Sequence, residues 1–486
     1  MRIERELIIM IVLLLCTFSS IGKPQQSEKP NVIFVLVDDL GWADLGCMGS
    51  TVYETPNIDQ LASEGTVFTN AYASSPVCSP SRAAIMSGKY PARVKLTDYI
   101  PGNRHYGPHE SQKLASHPFN RQLGLEEYTI AEAFKDAGYN TFFAGKWHLG
   151  EEEKYYPDHQ GFYINKGGNN TGHPAGGYFS PFKNPQLTDK YEGEYLTDRL
   201  TDETINFIKN EQEHPFFVCL SFYTVHLPMQ GKPEKVEKYR QKVTEKNYDG
   251  EEFIRKGDTY HKKWQNMPHY AAMVESMDEN IGCLLKLLEQ EHLSDNTIIV
   301  FTSDNGGMAT SNQTENIPTS NLPLRAGKGY LYEGGIRVPL IVRWPGNIKA
   351  GATTDFPTTG TDFYPTLLDL AGINLEKLQH LDGISLKSVF ENGETIDRPL
   401  FWHYPHYSGG LGGTPAGAVR LGNFKLLEFY EDDHVELYNL EQDLSEEKDL
   451  SEKYPARVKE LKKLLHDWRK TVGAQMPYTN PYYSKK

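Results

Sequence analysis

Apolar and polar positions recur with two different periods along the chain from residue 31 onward. Short apolar runs predict buried strands, and longer segments with apolar residues at every third or fourth position predict amphipathic helices. Because strands and helices alternate, the pattern indicates an α/β fold with a large mixed, mostly parallel sheet sandwiched by helices. The predicted strands span residues 32–37, 141–144, 216–222, 298–302 and 339–342, and the predicted helices span residues 130–137, 200–209, 271–289 and 365–371.

The pattern changes after about residue 397, where short strand-like pieces follow one another without long helices between them. Strand-like pieces at residues 399–404, 418–420, 424–429 and 435–438, followed by a helical segment at residues 458–468, predict a smaller C-terminal antiparallel sheet plus a helix. A chain of 486 residues is also too long for one compact core of ordinary size. We therefore expect a main domain at residues 23–396 and a C-terminal subdomain at residues 397–486.

The first residues have the order of charge and hydrophobicity that is typical of an exported protein. Arg2 and Arg5 precede an apolar run at residues 7–15, and small residues follow it. The run is too short for a membrane span, so it predicts a signal peptide at residues 1–22 and a secreted or periplasmic protein without an integral membrane span. Lipoprotein attachment at Cys16 is the less favoured alternative, because the large Leu15 before it suits a lipoprotein cleavage site poorly.

Composition adds limits on the partners of the protein. The chain is 38% apolar and 23% charged, which is typical of an ordered globular protein. Its net charge of −14 repels polyanions, so we expect no nucleic-acid partner, and an anionic substrate would need a locally positive cleft. The cysteines show no dense spacing that would indicate a disulfide scaffold, and nothing in the composition indicates an oligomeric state.

Polar residues that could carry chemistry directly follow four of the predicted strands. In open α/β sheets, ligands bind just beyond the carboxyl ends of the strands, so we expect these side chains to converge on one site. They are Asp38 and Asp39, Lys146 and His148, His226, and Asp304 and Asn305.

Three of these residues are aspartates and one is an asparagine, which together suit a hard cation. An isolated Asp-Asp pair at a strand end is more often a turn or a helix cap. Here Asp304 and Asn305 follow a second strand that would end at the same sheet edge as Asp38 and Asp39. Carboxylate and amide oxygens favour calcium or magnesium over zinc, so the residues predict a calcium or magnesium site.

The segment at residues 76–91 resembles the signature of the type I sulfatases. It reads Pro-Val-Cys78-Ser-Pro-Ser-Arg82 and continues to Met-Ser-Gly-Lys-Tyr-Pro. In that family the cysteine of Cys-x-Pro-x-Arg is oxidised to formylglycine by a separate maturation enzyme, so the resemblance implies that Cys78 becomes the nucleophile. A hydrated aldehyde offers two hydroxyls, which allow covalent catalysis in two easier steps. The alternative is a buried core cysteine, which the neighbouring prolines and serines make less favoured.

Three further motifs resemble stretches of the same family. They are Gly-Lys-Trp-His-Leu-Gly at residues 145–150, the histidine of Thr-Val-His226-Leu-Pro, and the lysine of Arg-Ala-Gly-Lys328-Gly-Tyr. The resemblance implies that Lys146 and His148 contact the nucleophile and the sulfate, and that His226 and Lys328 lie at the bridging ester oxygen. Taken singly, each residue would more often be a structural histidine or a solvated lysine. The resemblance also implies that the Asp-Asp and Asp-Asn pairs named above bind calcium together with the oxidised Cys78, with magnesium as the less favoured ion. The ligands are Asp38, Asp39, Cys78, Asp304 and Asn305.

The resemblance covers nearly all of the chain from residue 31 and implies a sulfatase that acts on a sulfated carbohydrate, either an algal polysaccharide or a glycosaminoglycan oligosaccharide. One alternative is a phosphatase or phosphodiesterase of the same superfamily, which would use serine or threonine and further ligands for two zinc ions. Another is a catalytically silent sugar-binding homologue, which would typically lack the nucleophile or a ligand. His173, Arg104 and His403 are candidate sugar contacts, with an ordinary surface role as the equal alternative.

Overall fold

The computed structural model describes residues 29–100, 109–211, 213–375, 379–393 and 395–484. The predicted signal peptide at residues 1–22, Cys16 and Arg104 lie outside the described residues. Within the ranges described, no helix combines the length and the apolar character needed to span a membrane.

Nineteen strands in five sheets and eleven α-helices make up the described fold, besides short 3-10 turns. The strands are β1 Asn31–Val37, β2 Thr66–Phe68, β3 Ala71–Tyr72, β4 Leu114–Ala115, β5 Asn140–Gly145, β6 Ile164–Lys166, β7 Phe216–Ser221, β8 Phe253–Lys256, β9 Thr259–Lys262, β10 Thr297–Ser303, β11 Thr310–Ser311, β12 Leu340–Arg343, β13 Ala352–Thr354, β14 Thr358–Thr359, β15 Leu400–Tyr404, β16 Ala416–Leu421, β17 Phe424–Phe429, β18 Val435–Asn439 and β19 Tyr478–Thr479. The helices are α1 Pro56–Ser63, α2 Cys78–Ser87, α3 Pro91–Val94, α4 Ile130–Asp136, α5 Leu196–Asn210, α6 Pro233–Glu245, α7 Pro268–Gln290, α8 Glu333–Ile336, α9 Phe363–Leu370, α10 Lys387–Asn392 and α11 Pro455–Val472.

The main sheet has eight strands in the order β13-β2-β12-β10-β1-β7-β5-β6. Its central strands β10, β1, β7, β5 and β6 pair in parallel, whereas β12 pairs antiparallel with both β10 and β2. The predicted fold class is therefore confirmed. The register places Val37 of β1 beside Ser303 of β10, so the residues that follow these two strands emerge side by side.

Strand β1 shows why the central strands read as unbroken apolar runs. Ile33, Val35 and Val37 pack into the core on one face of the sheet, which helices α5 and α7 cover. The alternate residues Phe34 and Leu36 pack into the core on the other face, which α2, α4 and α9 cover. All seven residues of β1 are buried, as is expected when both faces of a parallel sheet are covered.

A separate antiparallel sheet lies near the C-terminus, with β15, β16, β17 and β18 adjacent in chain order. Leu461 and Leu465 of α11 pack against Val419 and Leu426 of this sheet and form a core of their own. The smaller sheet and its helix are thus confirmed, whereas the division into domains at residue 397 stays a prediction.

Candidate active site

Three aspartates from two neighbouring strands lie together at the carboxyl edge of the main sheet. Asp38 and Asp39 follow β1, and Asp304 follows β10. One carboxylate oxygen from each lies within 4.8 Å of the others, and all three side chains are buried. The backbone of Asp39 has a φ of 61°, a left-handed conformation that a non-glycine residue rarely adopts. A rare backbone conformation of this kind is typical of a functional site.

A separate basic side chain pairs with each of these aspartates. Lys146 Nζ, just after β5, donates to both oxygens of Asp38 at 2.8 and 2.7 Å. Lys328 Nζ lies 2.7 and 2.8 Å from the two oxygens of Asp39. The third pair joins Arg82 Nε, on α2, to Asp304 Oδ2 at 2.8 Å. The three formal charges of each sign cancel, so an added cation would make the whole cluster positive.

Burial and charge shift the pKa values of the paired aspartates in opposite directions. Burial raises the pKa of Asp38 to about 8, although Lys146 opposes this shift. Burial would also raise the pKa of Asp39, but Lys328 and His226 outweigh it and hold that pKa below the usual range. An adjacent cation would lower the pKa of Asp38 and favour its ionised form. Its effect would be larger on Asp38 than on Asp39, whose pKa is already low.

Asn305 provides the observation that fits a metal ion to this cluster. Its Nδ2 donates to Asp39 Oδ1 at 2.8 Å and to the Gly306 carbonyl oxygen at 3.0 Å. Its Oδ1 is buried without a hydrogen-bond partner among the described residues. A buried acceptor without a partner costs about 1–3 kcal/mol, a cost that a metal–oxygen contact would offset. Asp38, Asp39, Asp304 and Asn305 thus form an oxygen-only donor set suited to a hard cation.

Cys78 is the first residue of α2, and His148 lies next to it. The distance from Cys78 Sγ to His148 Nδ1 is 3.5 Å. His148 Nε2 donates to the Ile100 carbonyl oxygen at 2.8 Å, which leaves Nδ1 as an acceptor for the thiol. Burial raises the pKa of Cys78, so the unmodified thiol is a poor nucleophile at neutral pH.

The two histidines of the site are both neutral at pH 7. Burial lowers the pKa of His148 well below its usual range, and Lys146 lowers it further. Burial also lowers the pKa of His226 to about 3, with Lys328 as the next cause. His226 Nε2 lies 3.6 Å from Asp39 Oδ2, on the same carboxylate that Lys328 contacts.

A cleft of about 1050 Å³ opens above this cluster. The cleft is lined by Cys78, His148, His226 and Lys328. The exposed His173, which we predicted from the sequence as a sugar contact, also lines it. The cleft is also lined by Asp98, Tyr99, Asn312 and the loop at residues 408–411, none of which was predicted from the sequence. These residues come from separate segments without a recognisable motif.

The structure does not bring His403 to the cleft. This histidine lies on β15 with only 7% of its surface exposed. Its Nδ1 is 2.8 Å from the Tyr430 hydroxyl and its Nε2 is 3.0 Å from the Gln475 carbonyl oxygen, so both ring nitrogens are engaged. The geometry gives His403 a structural role.

Comparison with known protein families agrees with this geometry. A family model described as Sulfatase matches residues 30–373. The chain belongs to the sulfatase family. A second model, described as N-sulphoglucosamine sulphohydrolase, C-terminal, matches residues 326–471, a range that includes the smaller sheet and most of α11.

Similar proteins support this assignment over most of the chain. A sulfatase of Formosa agariphila is 32% identical, across 90% of this chain and 87% of that protein. Human N-acetylgalactosamine-6-sulfatase is 31% identical, across 79% of this chain and 69% of that protein. The crystal structure of Ps i-CgsB in complex with k-i-k-neocarrahexaose is 31% identical, with a TM-score of 0.74 over 91% of this chain and 93% of that chain. As a member of the sulfatase family, this chain is a sulfuric ester hydrolase.

Proposed function

We propose that this sulfatase removes sulfate from a carbohydrate, with an aldehyde made from Cys78 as the nucleophile and with calcium as the bound cation. One observation carries the proposal. An oxygen-only donor set, three basic side chains and Cys78 lie together at a single cleft. They come from the ends of β1, β5 and β10, from helix α2 and from the loop that carries Lys328.

The nucleophile requires oxidation of Cys78 by a maturation enzyme before the site can work. When formed and hydrated, the aldehyde would supply one hydroxyl that attacks sulfur and a second that expels sulfate by restoring the aldehyde. His148 Nδ1, as the acceptor 3.5 Å from position 78, is placed to orient and deprotonate a group there. The raised pKa of the Cys78 thiol supports a requirement for this conversion.

The cation would neutralise charge on the sulfate oxygens when it is bound. Asp38, Asp39, Asp304 and Asn305 would hold it, together with the modified residue at position 78. Arg82 fixes the Asp304 carboxylate at 2.8 Å and Lys146 fixes that of Asp38, so both orient the ligands. Calcium is favoured over magnesium because Asn305 and three carboxylates form a site crowded with protein oxygens rather than waters.

His226 and Lys328 are the candidates for protonating the leaving sugar oxygen. Both line the cleft and both approach the Asp39 carboxylate. Burial would lower the pKa of Lys328, but Asp39 and the other acidic neighbours outweigh it and raise that pKa, so this ammonium keeps its charge and stabilises the developing negative charge. As the sulfur–oxygen bond breaks, the Lys328 ammonium is the source of the proton, and the neutral His226 can take it up at Nε2 and pass it to the leaving oxygen. A positioned proton donor contributes roughly 10²–10⁴-fold to the rate.

The relatives and the cleft support a sulfated carbohydrate as the substrate. The similar human protein is named an N-acetylgalactosamine-6-sulfatase, and the similar crystal structure holds a neocarrahexaose. A cleft of about 1050 Å³ has room for sugar rings above a sulfate group. His173 lines the cleft and is our candidate for a contact with the sugar. We further propose that residues 23–396 carry the catalysis in a secreted or periplasmic protein.

The test is sulfate release by protein expressed with and without a formylglycine-generating enzyme. Cys78→Ala is expected to abolish release from aryl sulfates and sulfated sugars, and mass spectrometry of the wild-type peptide is expected to show the thiol replaced by an aldehyde. Cys219→Ala, which removes the other buried thiol, is the matched control and should keep full maturation and turnover.

The same experiment separates the alternatives. Full turnover in Cys78→Ala, or phosphate ester hydrolysis without maturation, would favour an unmodified phosphatase. Sugar binding without turnover in fully matured protein would indicate a silent homologue.

A further inference from the structure

Asp98 lies on the wall of the cleft, a short distance along the chain from α3. Its side chain is 14% exposed and lines the same cleft as Cys78. The Tyr404 hydroxyl donates to Asp98 Oδ1 at 3.0 Å, and the Tyr99 backbone nitrogen donates to the same oxygen at 2.9 Å. A contact from the neighbouring residue and one from the distant β15 therefore fix the carboxylate in one orientation.

The second oxygen of Asp98 is left available to a ligand. Among the described residues, Oδ2 accepts no hydrogen bond, and His406 Nδ1 lies 3.9 Å from it, beyond hydrogen-bond range. His406 Nε2 is engaged with the Thr97 hydroxyl at 2.8 Å. Burial lowers the pKa of His406 to about 3, so this histidine supplies no countercharge to Asp98.

Asp98 is also the only acidic residue among the described residues that line the cleft. A carboxylate beside a site for an anionic sulfate is electrostatically unfavourable unless it binds a hydrogen-bond donor of the ligand. Burial raises the pKa of Asp98 to about 7, and a donor at Oδ2 would favour its ionised form. Sugar hydroxyls are neutral donors, and an ionised carboxylate forms with them the stronger, charge-assisted kind of hydrogen bond.

We infer that Asp98 determines substrate specificity by accepting a hydrogen bond at Oδ2 from a hydroxyl of the sugar that carries the sulfate. This inference rests on the proposed function. Tyr404 acts as a positioning residue, because it holds Oδ1 and so directs Oδ2 into the cleft. Asp98 also disfavours a second sulfate on the same sugar, since that group would approach the carboxylate with like charge.

The experiment compares kcat/KM of matured wild-type and variant protein on sulfated sugars and on p-nitrophenyl sulfate. The sugar probes are N-acetylgalactosamine 6-sulfate, N-acetylglucosamine 6-sulfate and a carrageenan oligosaccharide. Asp98→Asn replaces the Oδ2 acceptor by a donor of the same shape. This substitution is expected to lower the ratio of kcat/KM for the sulfated sugar to kcat/KM for the aryl sulfate by between about 10-fold and about 100-fold. That factor corresponds to the loss of one hydrogen bond to a charged group.

The matched control is Asp249→Asn, which makes the same exchange at an exposed position outside the cleft and should leave the ratio unchanged. Monodeoxy analogues of the preferred sugar complete the design. Removal of one hydroxyl should cost the wild type the same factor as Asp98→Asn and should cost Asp98→Asn nothing more.

A ratio within about 3-fold of the wild-type value in folded Asp98→Asn would overturn the inference, as would equal losses on every deoxy analogue in both proteins. If Asp98→Asn does not fold, Tyr404→Phe replaces it in the experiment. A raised KM for the sulfated sugar with an unchanged kcat on the aryl sulfate would support the positioning role of Tyr404. An unchanged KM for the sulfated sugar would refute it. Failure of the proposed function would look different, because matured wild-type protein would then release no sulfate from any probe.

Discussion

Replacement of Lys425 by methionine tests the ionic network that links the smaller sheet to the active-site segment. Lys425 lies on β17 with 0% of its side chain exposed. Its Nζ is 2.9 Å from Glu333 Oε1 and 3.0 Å from Glu446 Oε1. Glu333 begins α8, shortly after Lys328, so this cation ties the smaller sheet to the segment that carries a candidate active-site lysine.

The expected cost follows from the charges that remain. Breaking a buried ion pair by removing one partner costs about 3–5 kcal/mol. Arg337 Nη1, 3.1 Å from Glu333 Oε2, still compensates Glu333 in the variant, so the uncompensated carboxylate is Glu446. Burial raises the pKa of Glu446 already in the wild type, and without Lys425 this residue would take up a proton.

Proton uptake sets an upper limit to the cost and gives it a pH dependence. Burial raises the pKa of Glu446 to about 7 in the wild type, so near pH 7 the wild-type residue is itself partly protonated and the variant loses little. Above pH 7 the wild type keeps an ionised, paired Glu446, whereas the variant must bind a proton, which costs about 1.4 kcal/mol for each pH unit above 7. We expect Lys425→Met to lose roughly 3 kcal/mol at pH 9 and less than about 1 kcal/mol at pH 7.

Urea unfolding followed by tryptophan fluorescence and by far-UV circular dichroism measures this loss. Lys425→Met combined with Glu446→Gln should recover much of it at pH 9, because the double variant holds no uncompensated carboxylate. The control is Lys462→Met, which removes a part-exposed lysine 3.0 Å from Glu428 Oε1 and should cost less than about 1 kcal/mol. The reasoning is refuted if Lys425→Met costs no more than this control at pH 9, or if its cost does not change with pH.

Three further predictions follow from the described contacts. Exhaustive chelation of divalent cations should abolish sulfate release, and added calcium should restore it and stabilise the protein by about 2.7 kcal/mol at 100 times its dissociation constant. Burial alone would raise the pKa of Glu428, but Arg469 and other basic neighbours outweigh it and lower the pKa from 4.5 to about 2. Ionised Glu428 should therefore contribute roughly 1–2 kcal/mol to the free energy of unfolding. This contribution is complete above pH 4.5 and is lost as the pH falls towards 2. Gly145→Ala should cost about 4 kcal/mol or more, because φ is 106° and a Cβ would lie 1.8 Å from the Ser221 carbonyl oxygen.

Each of these predictions has a result that would contradict it. Unchanged rates in metal-free matured protein would remove the cation from the proposal. A Glu428→Gln variant whose unfolding free energy still falls as steeply between pH 4.5 and 2 would locate the acid sensitivity elsewhere. Gly138→Ala shares a positive φ of 85° but meets no atom within 4 Å, so it should cost only about 1 kcal/mol. Equal losses at the two glycines would show that the contact with Ser221 is not the cause.

The site floor could be predicted from the sequence because its residues follow strands that are buried on both faces. Such strands read as unbroken apolar runs, and parallel pairing then brings their ends together. Asp38 and Asp304 became neighbours in this way, through the register of Val37 with Ser303. The short strands β2, β6 and β13 were missed because three residues give no recognisable period.

Helix α2 and the cleft wall could not be predicted for two physical reasons. All ten residues of α2 are buried, so the helix has no solvent face to produce an amphipathic pattern. The partner that orients Asp98 is Tyr404, which lies 306 residues away in the chain. The strand alternation also explains the placement of His403: Trp402 and Tyr404 face one core, and His403 points to the opposite side of β15.

The pairing of Lys146, Lys328 and Arg82 with the three aspartates has a consequence for folding. These cations compensate the carboxylates without an added ion, so we expect the chain to fold without the cation that is proposed to bind here. Folding would then be independent of the metal, whereas the proposed activity would depend on it.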